Sequence, residues 1–231
     1  MDVHSILATI LSLALSIGAF AGSVWLNRKV KSSLLNPLLV SVAVIISVLV
    51  LLQIPLETYE QGAEAISAML GPATAVLAYS IYQQRRVLKS HFLPVMLGCL
   101  AGSITSMVSA YALCQLLGLG DQVALSTLPK STTAPIALSI TGELGGTASI
   151  TMAAVITTGV LGAILSPTLA KLFRIHSKIA QGVAIGTCSH AIGTTKALEM
   201  GELEGAMSGV AIAVSGLLTC FIVIGAQAFF G

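Results

Sequence analysis

Apolar runs separated by short polar breaks cover most of the chain, at residues 5–26, 35–52, 65–82, 92–117, 147–170 and 206–230. Each is close to or above the roughly 20 residues a helix needs to cross a bilayer. Two further stretches, 121–146 and 181–205, lie among these runs but are broken by glycines, hydroxyl clusters and charge, and the first also by prolines. Backbone interrupted at bilayer depth must be buried in protein or line a water-filled cavity. The pattern predicts an all-α polytopic membrane protein with about six full transmembrane helices plus two re-entrant or broken segments. It reads as one transmembrane domain over residues 1–231, with the first run a retained helix rather than a signal peptide. Residues 55–64, with Glu57, Glu60 and Glu64, read as a loop. Gly71 and Pro72, followed by Thr74, interrupt the third run.

Composition agrees with this pattern. Of 231 residues, 55% are hydrophobic and 9% charged, and the mean hydropathy is +0.96. Soluble domains carry roughly 25% charged residues. The net charge of +2 is spread over short loops rather than one patch, so no nucleic-acid partner is expected. Cys99, Cys114, Cys188 and Cys220 form no CxxC pair and read as small buried hydrophobes. His4, His91, His176 and His190 are far apart, so no metal site is expected, nor any cofactor.

The cations set the topology. Segments 27–33, 83–91 and 171–178 hold nine of the eleven Lys and Arg residues. By the positive-inside rule all three face the cytoplasm. With the N-terminus outside, the chain then crosses once between residues 117 and 171. That works if 121–146 is a re-entrant hairpin and 147–170 a full span. The alternative has both broken stretches crossing fully, with 171–178 outside.

The two remaining cations, Lys130 and Lys196, each fall in a broken stretch. A lysine at membrane depth costs roughly 2.5 kcal/mol or more and is seldom idle. Beside Lys130 stand Ser131, Thr132 and Thr133, and Pro135 is suited to start a half-helix whose positive end favours an anion. The plain alternative is a lysine snorkelling to an interface or paired with Glu143. In the second stretch His190 lies among Ser189, Thr194 and Thr195, between Gly186 and Gly193. Imidazole titrates near neutral pH, so His190 could bind a carboxylate or carry a coupled proton. A Ser189–His190 nucleophile pair is not expected, because adjacent helical residues point apart; no enzymatic activity is expected. Thr74 is a further candidate ligand at a half-helix end. Glu199, Glu202 and Glu204 read as a solvated loop, with Glu204 alternatively pairing with Lys196.

Gly142–Gly146 and Gly201–Gly205 share the pattern G-E-L-x-G, each before an apolar run. One crossing separates them, as in transporters built from inverted repeats. Eighteen of the 22 glycines lie in residues 98–231, with GxxxG spacings at 98/102, 182/186 and 205/209. Such spacings let membrane helices pack closely.

Four motifs carry a resemblance that covers essentially the whole chain: Leu35-Asn-Pro-Leu-Leu39, Gly71-Pro-Ala-Thr74 through Ala78-Tyr79, Leu128-Pro-Lys-Ser-Thr-Thr-Ala-Pro-Ile-Ala137 and Gly186-Thr-Cys-Ser-His-Ala-Ile-Gly-Thr194, with Glu204-Gly-Ala206 after them. Through them the chain resembles the LrgB/CidB family. Pro-Lys-Ser and Ser-His-Ala-x-Gly-Thr are its specific elements. The resemblance implies one of two roles. Some members are called antiholin-like and are said to modulate murein hydrolase activity and autolysis with a smaller LrgA/CidA-type membrane partner. Others look like carriers of small carboxylates, such as pyruvate in bacteria or glycolate and glycerate in plastids. By motif, Lys130, Ser131, Thr133, Pro135, Ser189, His190 and Thr194 are the positions expected to matter. The broken stretches favour carboxylate transport in the cell membrane, with an LrgA/CidA-type partner and possible homo-oligomers.

Overall fold

The structure is a computed structural model. It describes residues 3–30, 37–69, 72, 75–76, 79, 82–83 and 85–230, and the side chains of these except 3–7, 87, 229 and 230. The described residues form ten helices and no strand. They fall into two compact units, 1–75 and 76–231. Thr74 and most of 70–84 lie outside the described residues, so the expected half-helix end there does too.

The first unit holds α1 (Val3–Val30), α2 (Pro37–Leu51) and α3 (Leu56–Ala68), with α1 packed on both others. The expected acidic loop 55–64 is instead the body of α3. Pro55 is its N-cap residue and Glu57 sits in its first turn, where the helix dipole favours a carboxylate. Gly62 lets α3 lie against Ser12 and the Ala8 carbonyl, and the Tyr59 and Ser16 hydroxyls hydrogen-bond at 2.7 Å. The expected span 65–82 therefore does not start at 65: residues 65–68 end α3 and Met69 is a turn.

The second unit holds α4 (Arg85–Ser90), α5 (Phe92–Leu116), α6 (Asp121–Thr127), α7 (Ala134–Glu143), α8 (Ala148–Leu172), α9 (Lys178–Met200) and α10 (Glu202–Phe230). Four described segments are long and apolar enough to cross a membrane: Ala8–Val30, Phe92–Leu116, Ala148–Leu172 and Glu202–Ala228. Helix α2 is apolar but has only 15 residues.

Between the long helices the chain folds back twice. Helix α6 packs on the C-terminal end of α5, where Gln115 Nε2 donates to Asp121 Oδ1 at 2.6 Å and Cys114 Sγ lies 3.5 Å from Thr127 Oγ1, and the segment after it runs further in, so that the Ser106 and Ser131 hydroxyls meet at 2.8 Å. Helix α7 then packs on α8 and touches α10. Thr151 Oγ1 on α8 donates to the Ser126 carbonyl and meets Thr141 Oγ1, both at 2.8 Å, while the Thr147 N–H donates to Ser126 Oγ at 2.7 Å. Ser126, Thr141 and Thr151 are buried, so this network staples both arms of the hairpin to the start of α8. Gly145, at φ +68°, makes the turn into α8.

The second fold-back lies inside α9. His190 has φ 41° and ψ −143°, which divides the helix into a first arm, 178–189, and a second arm, 191–200. The first arm runs parallel to α10, Gly182 against Glu204 and Met207, Gly186 against Ser208 and Ala211. The second arm runs antiparallel to α10: Thr194 Oγ1 meets Ser208 Oγ at 2.7 Å, and Leu198 lies on Gly205. Gly193 on the second arm touches Ser189 and Ile185 on the first. Both stretches read as broken are thus hairpins. The α6–α7 hairpin starts at the C-terminal end of α5, and the α9 hairpin at the C-terminal end of α8.

Val95, Cys99, Val183, Met207, Val210 and Ala211 form the main core, between α5, the first arm of α9 and α10. The glycine spacings serve packing. Gly98 meets Val183, Gly102 meets Thr187, and Gly205 meets Leu198, while Gly209 has no neighbour within 4 Å of a built Cβ. A Cβ at Gly186 would collide with the Ser208 carbonyl, which is backbone and cannot rotate away. Gly186→Ala is expected to destabilise the purified protein by about 1–3 kcal/mol, the usual cost of overpacking. Thermal melts in detergent check it, with Gly209→Ala as the near-neutral control.

Candidate functional site

The first hairpin turns at residues 128–133, and the structure places Lys130 there. Its half-buried Nζ donates to Ser106 Oγ at 2.7 Å, and Ser106 Oγ is also bonded to Ser131 Oγ. An ammonium has three donors, so two remain. The expected alternative partner, Glu143, is exposed at the far end of α7, where its carbonyl accepts from Gln227. Among the described residues the only ion pair is Lys196–Glu199 at 2.8 Å. Lys130 therefore has no countercharge among them.

The residues around Lys130 divide by role. Thr132 Oγ1 donates to the Pro129 carbonyl at 2.8 Å and shapes the turn. Thr133 is the N-cap residue of α7, but its side chain makes no capping bond. Pro135 occupies the first turn of α7, as its fixed φ favours. The first N–H groups of a helix have no intrahelical acceptor, so this half-helix presents donors and its positive end at the tip. Ser106, near the middle of the 25-residue α5, was missed by sequence reasoning. A serine every three residues at 103, 106 and 109 was its available signal.

On the second hairpin, Ser189 and His190 are buried. The structure turns them toward α8 rather than toward Lys130. Ser189 lies against Gly162, and the His190 ring lies on Gly159, with Nε2 donating to the Val155 carbonyl at 2.9 Å. Thr194 Oγ1 is bonded to the His190 carbonyl at 2.9 Å and to Ser208 Oγ, facing α10. Thr195 is exposed and bonded to the Ile192 carbonyl. Lys196 pairs with Glu199, three residues on, because the helix brings i and i+3 together. Glu204 does not pair with it and is not solvated. It is buried in the first turn of α10 against Gly201, with Oε2 unpartnered.

Of the second-hairpin residues, Cys188 falls within electrostatic range of Lys130. Sequence reasoning treated all four cysteines alike, yet Cys99 and Cys114 are buried while Cys188 is exposed. Helix α5 gives the spacing of the two tips. Thr187 touches Gly102 and bonds Cys99 Sγ, four residues before Ser106. Four residues of helix span about 6 Å. Both tips therefore sit near the midpoints of α5 and α8, where residues 102–106 and 155–162 hold them. A charged group, the uncommitted Thr133 hydroxyl and a half-helix N-terminus at that depth suit a small anion.

Crossing helices that hold two opposed hairpins, with a lone cation at one tip, define a multi-pass membrane protein with a polar site at mid-span. The chain belongs to the LrgB-like family, whose model matches residues 16–228. It is 36% identical to the uncharacterized protein YxaC of Bacillus subtilis over 212 residues, 92% of each chain. It is 33% identical to the antiholin-like protein LrgB of the same species over 222 residues, 96% of each chain. It is 30% identical to the holin-like protein CidB of Staphylococcus epidermidis over 221 residues, again 96% of each. No solved structure matches it.

Proposed function

We propose that this protein, both units working as one transmembrane domain, carries a small 2-oxo or 2-hydroxy monocarboxylate, such as pyruvate, glycolate or glycerate, across the cell membrane. The observation that carries this reading is Lys130, an ammonium at mid-span held, among the described residues, only by Ser106. Even a half-buried cation without a countercharge is costly, and a carboxylate supplies that charge. The Thr133 hydroxyl and the N-terminus of α7 are donors for the carboxylate and its neighbouring oxygen. Ser189, His190 and Thr194 hold the opposing tip in shape, with His190 the candidate coupling group. The two hairpins act as halves of an inverted repeat.

Thermal stabilisation of the purified protein by pyruvate, lactate, glycolate and glycerate tests this. A ligand binding only the folded state at about 100 times its Kd adds roughly 2.7 kcal/mol. Stabilisation by one of these acids and not by a neutral analogue is the expected result. No response to any of them, with an LrgA/CidA-type partner present or absent, sinks it.

The names of the relatives favour a second reading, an antiholin-like regulator of murein hydrolase activity acting with such a partner. That role rests on contacts between helices and leaves Lys130 without a task.

A further inference from the structure

Two cavities lie end to end along the seam between α8 and the first arm of α9. One, of about 160 Å3, runs from Cys188 and Ser189 at the hairpin tip past Ser166. The other, of about 440 Å3, opens among Lys171, His176 and Glu204. They share Ala170, Ile175 and Gln181 as lining residues. The small residues at 170 and 184 keep the seam from closing beyond the contact of Gly162 with Ser189. Ser166 Oγ is buried there with no partner among the described residues, an orphan donor of the kind that needs an explanation. At the junction Gln181 Nε2 donates to the Ile175 carbonyl at 2.6 Å, leaving its amide oxygen and second N–H uncommitted.

We infer that this seam is the access route for a small anion between the membrane face bearing Lys171, Arg174 and Lys178 and the Lys130 site, with Gln181 and Ser166 as its polar contacts. The charge order fits an anion. Lys171 stands at the mouth, and Cys188 at the inner end follows Thr187, whose contact with Gly102 lies four residues along α5 from Ser106, the partner of Lys130. The one carboxylate at the mouth, Glu204, packs against Gly201 at the N-terminus of α10, whose dipole offsets its charge. The inference rests on the Lys130 site being an anion site, but it does not depend on which carboxylate is carried.

Cys188 is a built-in reporter. With Cys99, Cys114 and Cys220 replaced by alanine, the full chain in sealed vesicles is treated with a small anionic methanethiosulfonate, or a cationic one of similar size, from either face. The expected result is labelling of Cys188 from the Lys171 face, faster with the anionic reagent by about tenfold, the low end of focusing by a charged cleft. Ala170→Trp should slow it, and Ile175→Trp in the following loop serves if that variant does not insert. Absence of labelling from that face, equal rates in both blocked variants, or a faster cationic reagent overturns the route. Protection by pyruvate or glycolate is scored separately. Labelling that neither acid slows leaves the route standing and counts against the carboxylate reading.

Discussion

Lys130→Ala is expected to abolish carboxylate binding and uptake while the protein still inserts and folds. On insertion scales a lysine at the centre of a span costs about 2.5–3.5 kcal/mol, so its removal does not threaten the fold. The bond it leaves behind is minor, because Ser106 and Ser131 still hold each other at 2.8 Å. Binding behaves in the opposite way. Truncating one partner of a buried, hydrogen-bonded charge pair costs about 2–5 kcal/mol. At about 1.4 kcal/mol per decade, that is from some thirtyfold to more than a thousandfold in Kd. Lys130→Arg should recover only part of this, because a planar fork does not occupy the place of a compact ammonium. Uptake of labelled acid into vesicles, read beside the melting temperature, checks both variants. Normal uptake by the alanine variant ends the carboxylate reading.

The sequence made the two hairpins legible for a simple reason. Prolines, glycines and lone lysines are expensive in lipid, so a stretch that keeps them is marked by its composition. The same logic put Lys130 in a broken stretch, while the positive-inside distribution was compatible with a fold-back of the first stretch and left full crossing of both as the alternative. Side-chain direction was not legible. Ser189, His190 and Thr194 share a motif with Cys188, and nothing in their order says that these three are committed to α8 or α10 while Cys188 is left exposed at the tip. That assignment depends on how the first arm of α9 lies against Gly159 and Gly162, a contact between residues far apart in the chain. The acidic segment 55–64 was misread for a related reason. Three glutamates in ten residues look like a loop between spans, yet glutamate is a good helix former. Pro55 and the packing of Gly62 on α1 decide the matter in favour of α3. The Ser126–Thr141–Thr151 staple was invisible for the opposite reason. Isolated hydroxyls in apolar runs carry no periodic signal until the arms that join them are known.

His190 gives a second large effect, and its sign separates backbone from side chain. Its φ of 41° and ψ of −143° lie away from the left-handed helical region, in territory that L side chains rarely occupy. Holding a side chain in such a conformation costs about 1–3 kcal/mol and is a feature of functional sites. His190→Gly removes that strain, and His190→Ala keeps it. Both lose the bond to the Val155 carbonyl and the ring packed on Gly159. The glycine variant should therefore be the more stable of the two by about 1–3 kcal/mol. In an ordinary helix interior the order is reversed, with glycine about 1 kcal/mol worse than alanine. Melting temperatures of the two purified variants decide this, and an alanine variant as stable as the glycine one refutes a strained tip. Transport then isolates the imidazole. Because the glycine variant restores the backbone without the ring, loss of uptake in both variants assigns His190 a part in carriage or coupling. Uptake retained by His190→Gly alone reduces it to a residue that fixes the turn, and leaves Lys130 and the half-helix of α7 to hold the anion.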